Sequence, residues 1–246
     1  MNTLIVCARP EPASFNAALK AEAVRTLAEA GHKVVVSELH AGGFGAVAGP
    51  DDLHGERGNP ERLNLPREQG RAVEAGTLAP EIRQEQEKLA AAELLILQFP
   101  IWWFGMPAIL EGWADRVLAY GFAYQRGREH DSGMFRGKLA MVSATTGTSA
   151  DTYAPDGIDG DILSVLRAIH DGMLRYAGFD VLPPCVSYMP GRLDAAGRET
   201  RLAALRARLL SIDETPRLYF HPAEDHGPDE RLKPGVPARS GVRRNP

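Results

Sequence analysis

The sequence predicts an α/β fold in which a parallel sheet carries helices on both faces. Short, continuous apolar runs recur along the chain and alternate with segments of helical periodicity. Such runs are typical of strands that are buried on both faces, as in a parallel sheet. Five of them favour an open, doubly wound sheet over an eight-stranded barrel, which needs more repeats and usually more residues.

The first unit of the fold is a strand, a helix and a second strand. An apolar run predicts the first strand at residues 3–8 and ends at Arg9. Ser14 is a suitable N-cap for the following helix, and Gly31 lies where that helix would stop. A second apolar run at residues 33–39 predicts the next strand, which completes a βαβ unit.

Residues 40–79 interrupt the alternation with glycine, proline, asparagine and mixed charges. We therefore predict a long loop there, with at most short helical pieces. Loops of this length are usually functional or mobile. The later elements are predicted as helix 80–92, strand 93–99, a helix from about 107 to 119, strand 138–145, helix 160–177, strand 179–188 and helix 195–212.

Flavodoxin-like topology is the natural candidate for five alternating strands and helices. The flavodoxin-like domain is expected to occupy residues 1–221. Residues 222–246 are rich in proline and cannot support a periodic element. This C-terminal tail is expected to be irregular, and either extended or disordered.

Charge and composition exclude several classes of function. The formal net charge of −4 lacks the basic field that binding to nucleic acid or to an anionic membrane usually requires. No apolar run approaches the roughly 20 residues that cross a bilayer. Cys7 and Cys185 match no metal-binding spacing and favour a reducing compartment. The prediction is a cytoplasmic protein that acts on small molecules, without a metal site, membrane insertion or nucleic acid.

Three loops that follow strands form the candidate site, because ligands of open α/β sheets bind beyond the carboxyl ends of the strands. The first loop places Arg9, Ser14 and Asn16 at a helix N-terminus, where a phosphate is favoured. Simple capping by Ser14, with a solvated Arg9, explains this loop equally well. Neither a GxGxxG fingerprint nor a Walker motif is present.

The second and third loops add rings and hydroxyls. Trp102, Trp103 and Phe104 are adjacent, and in an extended segment successive side chains face opposite sides. At least one ring is therefore expected to line a ligand pocket or a subunit interface, although an aromatic plug at the sheet end is an alternative. The third loop, 145–149, carries hydroxyls and precedes Tyr153. A flat aromatic ligand with a phosphate tail, such as a flavin nucleotide, would satisfy all three loops.

Several motifs together resemble one family. SFNAALK, FPIWWFGMPAILEGWADRV, GFAY, ATTG, YAPDGIDGD, GFDVLPP and ETPRLYF are similar to those of flavodoxin-fold NAD(P)H:quinone oxidoreductases of the DT-diaphorase type. The resemblance covers about residues 3–221. It implies an FAD-dependent homodimer with active sites at the subunit interface, which passes a hydride from NAD(P)H to a quinone in a two-electron ping-pong cycle. Alternatives are an FMN-dependent azo- or nitroreductase and a flavin-bound regulatory subunit of a potassium-efflux system.

The resemblance also implies roles for individual residues. For the FAD phosphates it implies Arg9, Ser14, Phe15 and Asn16, and for the adenosine half Asn64 and Arg198. Around the isoalloxazine it implies Pro100, Ile101, Trp102, Trp103 and Phe104, with Thr145, Thr146, Gly147, Thr148 and Tyr153. For the quinone and nicotinamide pocket it implies Phe104, Tyr124 and Tyr176.

Three positions depart from the best-known members of that family. Arg9 stands in place of a histidine and keeps a cationic partner for phosphate. Arg126 replaces a pocket tyrosine and is expected to shift acceptor preference towards polar or anionic compounds. Asp159 replaces a histidine that acts with Tyr153 on the charge at the flavin edge. Because an ionised aspartate cannot donate a hydrogen bond, Asp159 would act when protonated, or would orient Tyr153 or a water, or would only cap the next helix.

The predicted catalytic residues are Tyr153, Asp159 and Gly147, with Tyr153 as the main donor. Asp115 is expected to support the site or the dimer from its helix. Two further pairs are expected to have no catalytic role. His170 and Asp171 are predicted to form a surface pair, and His130 and Asp131 a solvated one.

Overall fold

The protein is described by a computed structural model that covers residues 1–238 and the backbone of Arg243–Arg244. Its main sheet consists of β1 (Asn2–Cys7), β2 (Lys33–Glu38), β3 (Leu94–Pro100), β4 (Leu139–Thr146), β5 (Asp180–Val181) and β6 (Cys185–Tyr188). All pairings are parallel, in the order β2-β1-β3-β4-β5, and β6 also pairs with β4. Since β5 and β6 share one edge of β4, they form a single interrupted fifth strand. This is the predicted flavodoxin-like topology.

Helices cover both faces of this sheet. They are α1 (Phe15–Glu29), α2 (Leu65–Ala75), α3 (Pro80–Ala91), α4 (Ala108–Val117), α5 (Ile162–Val165) and α6 (Ala195–Leu210), with a π-helical segment at Ala168–Arg175. One core packs α1 and α6 against alternate strand residues such as Ile5 and Ile96. The second core packs α3, α4 and the π-helical segment against the strand residues that face the opposite side of the sheet, such as Val6 and Leu97. This alternation places both faces of every central strand in a core.

The prediction of a loop with only short helical pieces at residues 40–79 is wrong for α2, which has 11 residues. Asn64 caps this helix by accepting a hydrogen bond from the Arg67 N–H, and Gly76 ends it at a φ of 66°. Its buried residues include Glu68 and Gln69. The glycine, proline and mixed charges of this segment favoured a loop, although Asn64, Pro66 and Gly76 are typical start and end signals of a helix.

Two other predicted elements are interrupted. The strand expected at 179–188 breaks into β5 and β6 around Pro183 and Pro184, which lack the N–H groups that a ladder requires. The helix expected at 160–177 consists of the short α5 followed by the π-helical segment. In contrast, α1 begins after Ser14 and ends just before Gly31, which has a φ of 80°, as predicted.

A buried ion pair holds the connection between β2 and α2, residues 39–64, against α4. Arg116 donates to Asp52 at 2.6 Å and to Glu81 at 2.8 Å, and its guanidinium lies over the Phe44 ring. The Arg116 and Asp52 side chains are 6% and 4% exposed. A side chain at Gly112 would collide with the backbone of this connection, so only glycine permits the approach.

The C-terminal tail follows β7 (Leu218–Tyr219), which pairs antiparallel with β8 (Arg243–Arg244). Residues 222–238 are irregular apart from a 3-10 turn at Ala223–Asp225 and an isolated antiparallel bridge between His226 and Leu232. Residues 239–242 and 245–246 lie outside the described part of the chain. The tail contacts the domain through Arg175, which donates to the His221 carbonyl, and through Asp131, which accepts from the Ala223 N–H.

Candidate active site

Three aromatic side chains form an exposed turn directly after β3. Trp102 and Gly105 exchange two backbone hydrogen bonds, while Trp103 and Phe104 between them have φ values of 50° and 62°. Bulky residues in the left-handed region cost about 1–2 kcal/mol each, and such strain clusters at functional sites. The turn leaves Trp102, Trp103 and Phe104 46%, 98% and 51% exposed. The segment is therefore a tight turn and not the extended stretch that the sequence argument assumed.

The end of β4 lies beside this turn and is built on a buried polar network. The Ile101 N–H donates to the Thr145 carbonyl, which joins the turn to β4. The Thr145 hydroxyl accepts from the Asn16 amide at 2.8 Å, and Gln98 donates to the Asn16 oxygen at 2.7 Å. Asn16 is buried, so its side chain supports the loops through these hydrogen bonds and is not exposed to solvent. This network connects the ends of β3 and β4 with the start of α1.

Tyr153 lies next to the aromatic turn in a 3-10 turn after β4. Its ring meets Phe104 edge to face at 6.4 Å between centroids and lies 6.0 Å from Tyr188. Burial raises the pKa of the Tyr153 hydroxyl, the Asp159 charge raises it further, and hydrogen bonding with Thr148 lowers it. The phenol therefore stays protonated near neutral pH and remains a hydrogen-bond donor.

Asp159 contacts hydroxyl groups of the same loop. Its carboxylate accepts from the Thr148 hydroxyl at 3.2 Å, and Thr148 in turn accepts from Thr152 at 3.0 Å. The cap of α5 is Asp161, which accepts from the Leu163 N–H. The alternative in which Asp159 only caps that helix is therefore wrong.

The loop that follows β4 also has solvent-accessible backbone. Thr146 is buried and donates its hydroxyl to the Thr148 carbonyl, whereas Gly147 and Thr148 are exposed. Apart from its two chain neighbours, no described residue has an atom within 4 Å of the place that a Gly147 side chain would occupy. A flat ligand has room against the backbone here.

The predicted phosphate loop has a more specific arrangement than the sequence indicated. Ser14 caps α1 through the Ala17 N–H, as its alternative role required. Arg9 is not solvated: it donates to both carboxylate oxygens of Glu38 at 3.2 Å, and Glu38 also pairs with Lys20. The Arg9 Nε is buried and has no hydrogen-bond partner among the residues that the structure describes. A buried donor without an acceptor is a position where a ligand oxygen would be favourable.

The two residues expected at the adenosine half lie at separate helix starts. Asn64 caps α2, and Arg198 in the first turns of α6 donates to the Pro190 carbonyl at 3.3 Å. Both are exposed. Phe15 begins α1 at the phosphate loop, and Pro100 ends β3 opposite Thr145.

Tyr124 and Tyr176 do not join the aromatic turn within one chain. Their rings lie 5.6 Å apart and line a cleft of about 340 Å³ along α4, together with Asp115 and Glu111. Burial and the Asp115 charge raise the pKa of Glu111. Arg126 was expected to bring a positive charge to the acceptor pocket. It is exposed and does not line this cleft, whose charged lining residues are the acids Glu111 and Asp115.

Both histidine pairs differ from the prediction. His170 is fully buried in the π-helical segment, neither ring nitrogen has a partner among the described residues, and burial lowers its pKa to about 4. The predicted surface pair is therefore wrong, because the irregular π-helical turns point this side chain inward. His130 packs edge to face on Tyr176 and contacts Arg175, so it is not simply solvated.

The remaining features concern metals, thiols and membranes. Cys7 is buried, which raises its pKa to about 11, and Cys185 is partly buried. Within residues 1–238, no set of three or more His, Cys, Asp or Glu side chains is arranged to hold a metal ion. The helices described for this chain include none that is long and apolar enough to cross a bilayer.

Sequence reasoning missed Gln98 and Glu111. Gln98 stands in an apolar strand, and a polar residue in such a run is a usable signal for a buried network. Glu111 shares a helix face with Asp115 at a spacing of four residues, but only the fold shows that this face lines a cleft.

Comparisons with known proteins identify the family of this chain. The model of a family described by its flavodoxin-like fold matches residues 1–211. The chain is 42% identical over 220 residues to NAD(P)H dehydrogenase [quinone] 1 of Rattus norvegicus, covering 89% of this chain and 80% of that protein. It is 42% identical over 209 residues to ribosyldihydronicotinamide dehydrogenase [quinone] of Homo sapiens, covering 85% and 90%.

A solved structure is also similar over nearly the whole chain. A protein of Klebsiella pneumoniae that is provisionally described as a quinone reductase superposes with a TM-score of 0.92 at 40% identity, covering 98% of this chain and 97% of that one. The fold and these comparisons define the class: the chain belongs to the flavodoxin-like fold family. Within that class it belongs to the NAD(P)H:quinone oxidoreductase family, and the prediction of the family is confirmed.

Proposed function

We propose that this chain is a flavoenzyme that uses FAD to carry two electrons from NAD(P)H to a quinone or similar acceptor in a ping-pong cycle. The observation that carries the proposal is the strained turn that exposes Trp102, Trp103 and Phe104 beside Tyr153. Exposed rings held by a costly backbone conformation are typical of a ligand site. Membership of the quinone oxidoreductase family gives that ligand its chemical class.

The residues present fit a flavin nucleotide. Trp102, Phe104 and Tyr153 offer faces and edges to a flat ring, and the open backbone at Gly147 leaves room for it. The phosphates would be favoured by the start of α1 and by the Arg9 Nε, which has no partner within the described part of the chain. When bound, the flavin supplies the redox chemistry by taking a hydride from NAD(P)H and giving two electrons to the acceptor.

Tyr153 is the proposed source of charge stabilisation. Its raised pKa keeps the phenol protonated, so it donates a hydrogen bond to negative charge that develops at the ring edge. The Tyr153 residue is only 7% exposed. Phe104 and Tyr188 hold the ring in place, and the Asn16 network fixes the loops that carry it.

A homodimer would complete the pocket. In one chain, the rings of Tyr124 and Tyr176 contact each other but not those of Phe104 and Tyr153. A second copy can bring its own tyrosine cleft to the aromatic turn, and the 98% exposure of Trp103 favours burial in such an interface. Sedimentation should give a dimer at micromolar concentration, and a monomer with full quinone turnover would contradict this assembly.

The cofactor is tested on purified protein. We expect the absorption bands of oxidised flavin, FAD on mass analysis after extraction, and oxidation of NADH or NADPH with menadione. Finding FMN alone would favour the azo- or nitroreductase alternative, whose fold is shared by neighbours with FMN in their names. Flavin without turnover would favour a regulatory role. The cytoplasmic location stays a prediction.

A further inference from the structure

His130 contacts one wall of the tyrosine cleft along α4. Its ring meets the Tyr176 ring edge to face at 5.1 Å between centroids. The His130 N–H donates to the Tyr176 carbonyl at 2.9 Å. Tyr176 in turn lies 5.6 Å from Tyr124, and both tyrosines line the cleft. His130 is not itself among the described residues that line the cleft, so it acts on a ligand there through Tyr176.

The backbone of His130 is held in an uncommon conformation. Its φ is 52°, in the left-handed region, where histidine and asparagine are found more often than most other residues with a side chain. His130 begins a 3-10 turn, and its carbonyl accepts from the Gly133 N–H at 2.8 Å. Together with the bond to the Tyr176 carbonyl, this turn fixes the place of the His130 ring. Residues kept in such conformations cluster at functional sites.

Arg175 determines which ring nitrogen of His130 carries the proton. The Arg175 Nη1 lies 3.1 Å from the His130 Nδ1. A guanidinium has donors and no acceptor, so Nδ1 must accept this hydrogen bond. The proton of the neutral ring is therefore on Nε2. Arg175 is itself held in place, because it donates to the His221 carbonyl at 2.5 Å and to Asp171 at 3.4 Å.

A second proton on the ring would disrupt this arrangement. A protonated imidazole cannot accept from Arg175, and it places a positive charge beside the guanidinium. Burial and the Arg175 charge lower the pKa of His130 below its ordinary value, so the ring is neutral near neutral pH. Three carboxylates oppose this shift, namely Asp171 of the π-helical segment and Glu129 and Asp131 of the turn itself.

We propose that neutral His130 is a positioning residue, which holds the Tyr176 ring at the wall of the acceptor cleft and releases it on protonation. This role rests on the function proposed above, in which the cleft belongs to the acceptor pocket. At low pH, His130 and Arg175 repel each other, so the edge-to-face contact with Tyr176 is lost and the acceptor binds more weakly. Tyr153, which stabilises charge at the flavin edge, keeps its own contacts, so the rate at saturating acceptor changes little.

Labelled histidine and tyrosine test these contacts without turnover. In protein labelled with ¹⁵N at histidine, the His130 Nδ1 should be unprotonated near neutral pH, and Arg175→Met should raise the pKa of His130. In protein labelled with ¹³C at the tyrosine Cζ, the Tyr176 resonance should move as His130 becomes protonated. His130→Asn and Tyr176→Phe assign the two signals. A neutral ring with its proton on Nδ1, or a Tyr176 resonance that does not follow the His130 titration, would overturn the proposal.

Acceptor kinetics test the positioning role itself. His130→Asn removes the ring but keeps a residue that tolerates the left-handed region, and should raise the half-saturating menadione concentration about two- to tenfold, the range of one aromatic pair. The limiting rate at which reduced enzyme is reoxidised should change less than about twofold. His40→Asn, at an exposed histidine, is the matched control and should change neither quantity.

The pH profile separates the ring contact from the titration. In the wild type, the half-saturating concentration should rise between about pH 7.5 and pH 5, and this rise should be lost in His130→Asn. His130→Phe keeps a ring without a titratable nitrogen, so it should show neither the rise with falling pH nor the weaker binding of His130→Asn at high pH. Unchanged half-saturation in His130→Asn, or the wild-type pH profile in either variant, would refute the role of His130.

Failure of the proposed function has a different signature. Protein without bound flavin or without turnover would reject that function, whereas the histidine and tyrosine spectra would still show whether His130 holds Tyr176. A normal flavoenzyme whose acceptor binding is insensitive to His130→Asn would reject only the positioning role.

Discussion

Three tryptophans lie within twelve residues of this chain and have opposite environments. Trp103 is 98% exposed in the turn after β3, whereas Trp113 on α4 is fully buried. The Trp113 indole N–H donates to Glu85 at 2.8 Å, so this ring packs in the core with its polar atom satisfied. Trp103 has neither packing nor an ordinary backbone conformation.

The contrast separates structural from functional aromatic residues. A buried ring with a satisfied donor contributes free energy of folding through apolar burial. An exposed ring on a left-handed backbone costs free energy of folding, so its placement is explained by a ligand or a partner. The residue type alone does not distinguish the two cases.

Replacement of the buried Trp113 is expected to have the largest effect on stability. Trp113→Ala should lower the free energy of unfolding by about 3–5 kcal/mol, because it leaves a cavity and an unpaired Glu85 oxygen. Trp103→Ala is the matched control and should change it by less than about 0.5 kcal/mol. Urea unfolding of flavin-free protein measures both, since a bound ligand would stabilise the fold by mass action. Equal losses would refute the distinction.

A second buried ring, His170, differs from Trp113 because its ring nitrogens have no partner in the described chain. Its folded pKa of about 4 lies below the unfolded value of 6.5. Above pH 6.5 neither state binds the proton. As the pH falls from 6.5 to about 4, the unfolded state binds it first, so stability should fall by up to about 3 kcal/mol and then level off.

His170→Met should remove this pH dependence. Denaturant unfolding at several pH values gives the two stability curves, which should be parallel above pH 6.5 and converge or cross below it. Curves that stay parallel down to pH 4 would show that His170 is protonated in the folded state.

The third expected effect concerns Tyr153, which lies beside the exposed aromatic turn. Tyr153→Phe keeps the ring that meets Phe104 but removes the donor, and should slow flavin reduction by NAD(P)H about 10²-fold. Asp159→Asn should change that rate far less, because the donor on Tyr153 remains. Stopped-flow bleaching of the flavin compares them. A slower reaction for Asp159→Asn than for Tyr153→Phe would reverse the assigned roles.

The smallest expected effect concerns the strain itself. At a φ of 50°, Trp103→Gly should be more stable than Trp103→Ala by about 1 kcal/mol, since glycine adopts the left-handed region without steric penalty. Thermal unfolding of the two flavin-free variants provides the comparison. Identical stability would mean that the turn relaxes in solution.

Much of the fold followed from apolar runs and end signals. The run at residues 3–8 and the Ser14 cap predicted β1 and α1, because a continuous apolar run and a helix cap are both patterns of neighbouring residues. The helix α2 has similar end signals at Asn64 and Gly76, but the mixed charges of its segment favoured a loop, and its buried face includes Glu68 and Gln69. Their burial is possible only because other parts of the chain supply partners, such as the Gly58 N–H that donates to Glu68.

The candidate site shows the same division. Its members were found from the three loops and from motif resemblance, but Asp159 was not separated from a helix cap until Asp161 was seen in that role. Arg9 was expected at a phosphate, and its pairing with Glu38 required β1 and β2 to be placed side by side.

The sequence by itself determined the alternation of strands and helices apart from α2, the family and the loops that carry the site, because periodicity, caps and motifs are encoded by neighbours along the chain. The tertiary structure alone decided which tryptophan is buried, that Trp103 and Phe104 adopt left-handed conformations, and that the rings of Tyr124 and Tyr176 pack against each other. These features depend on contacts between residues that are distant in sequence, and their free energies are set by burial and hydrogen-bond partners that no local pattern specifies.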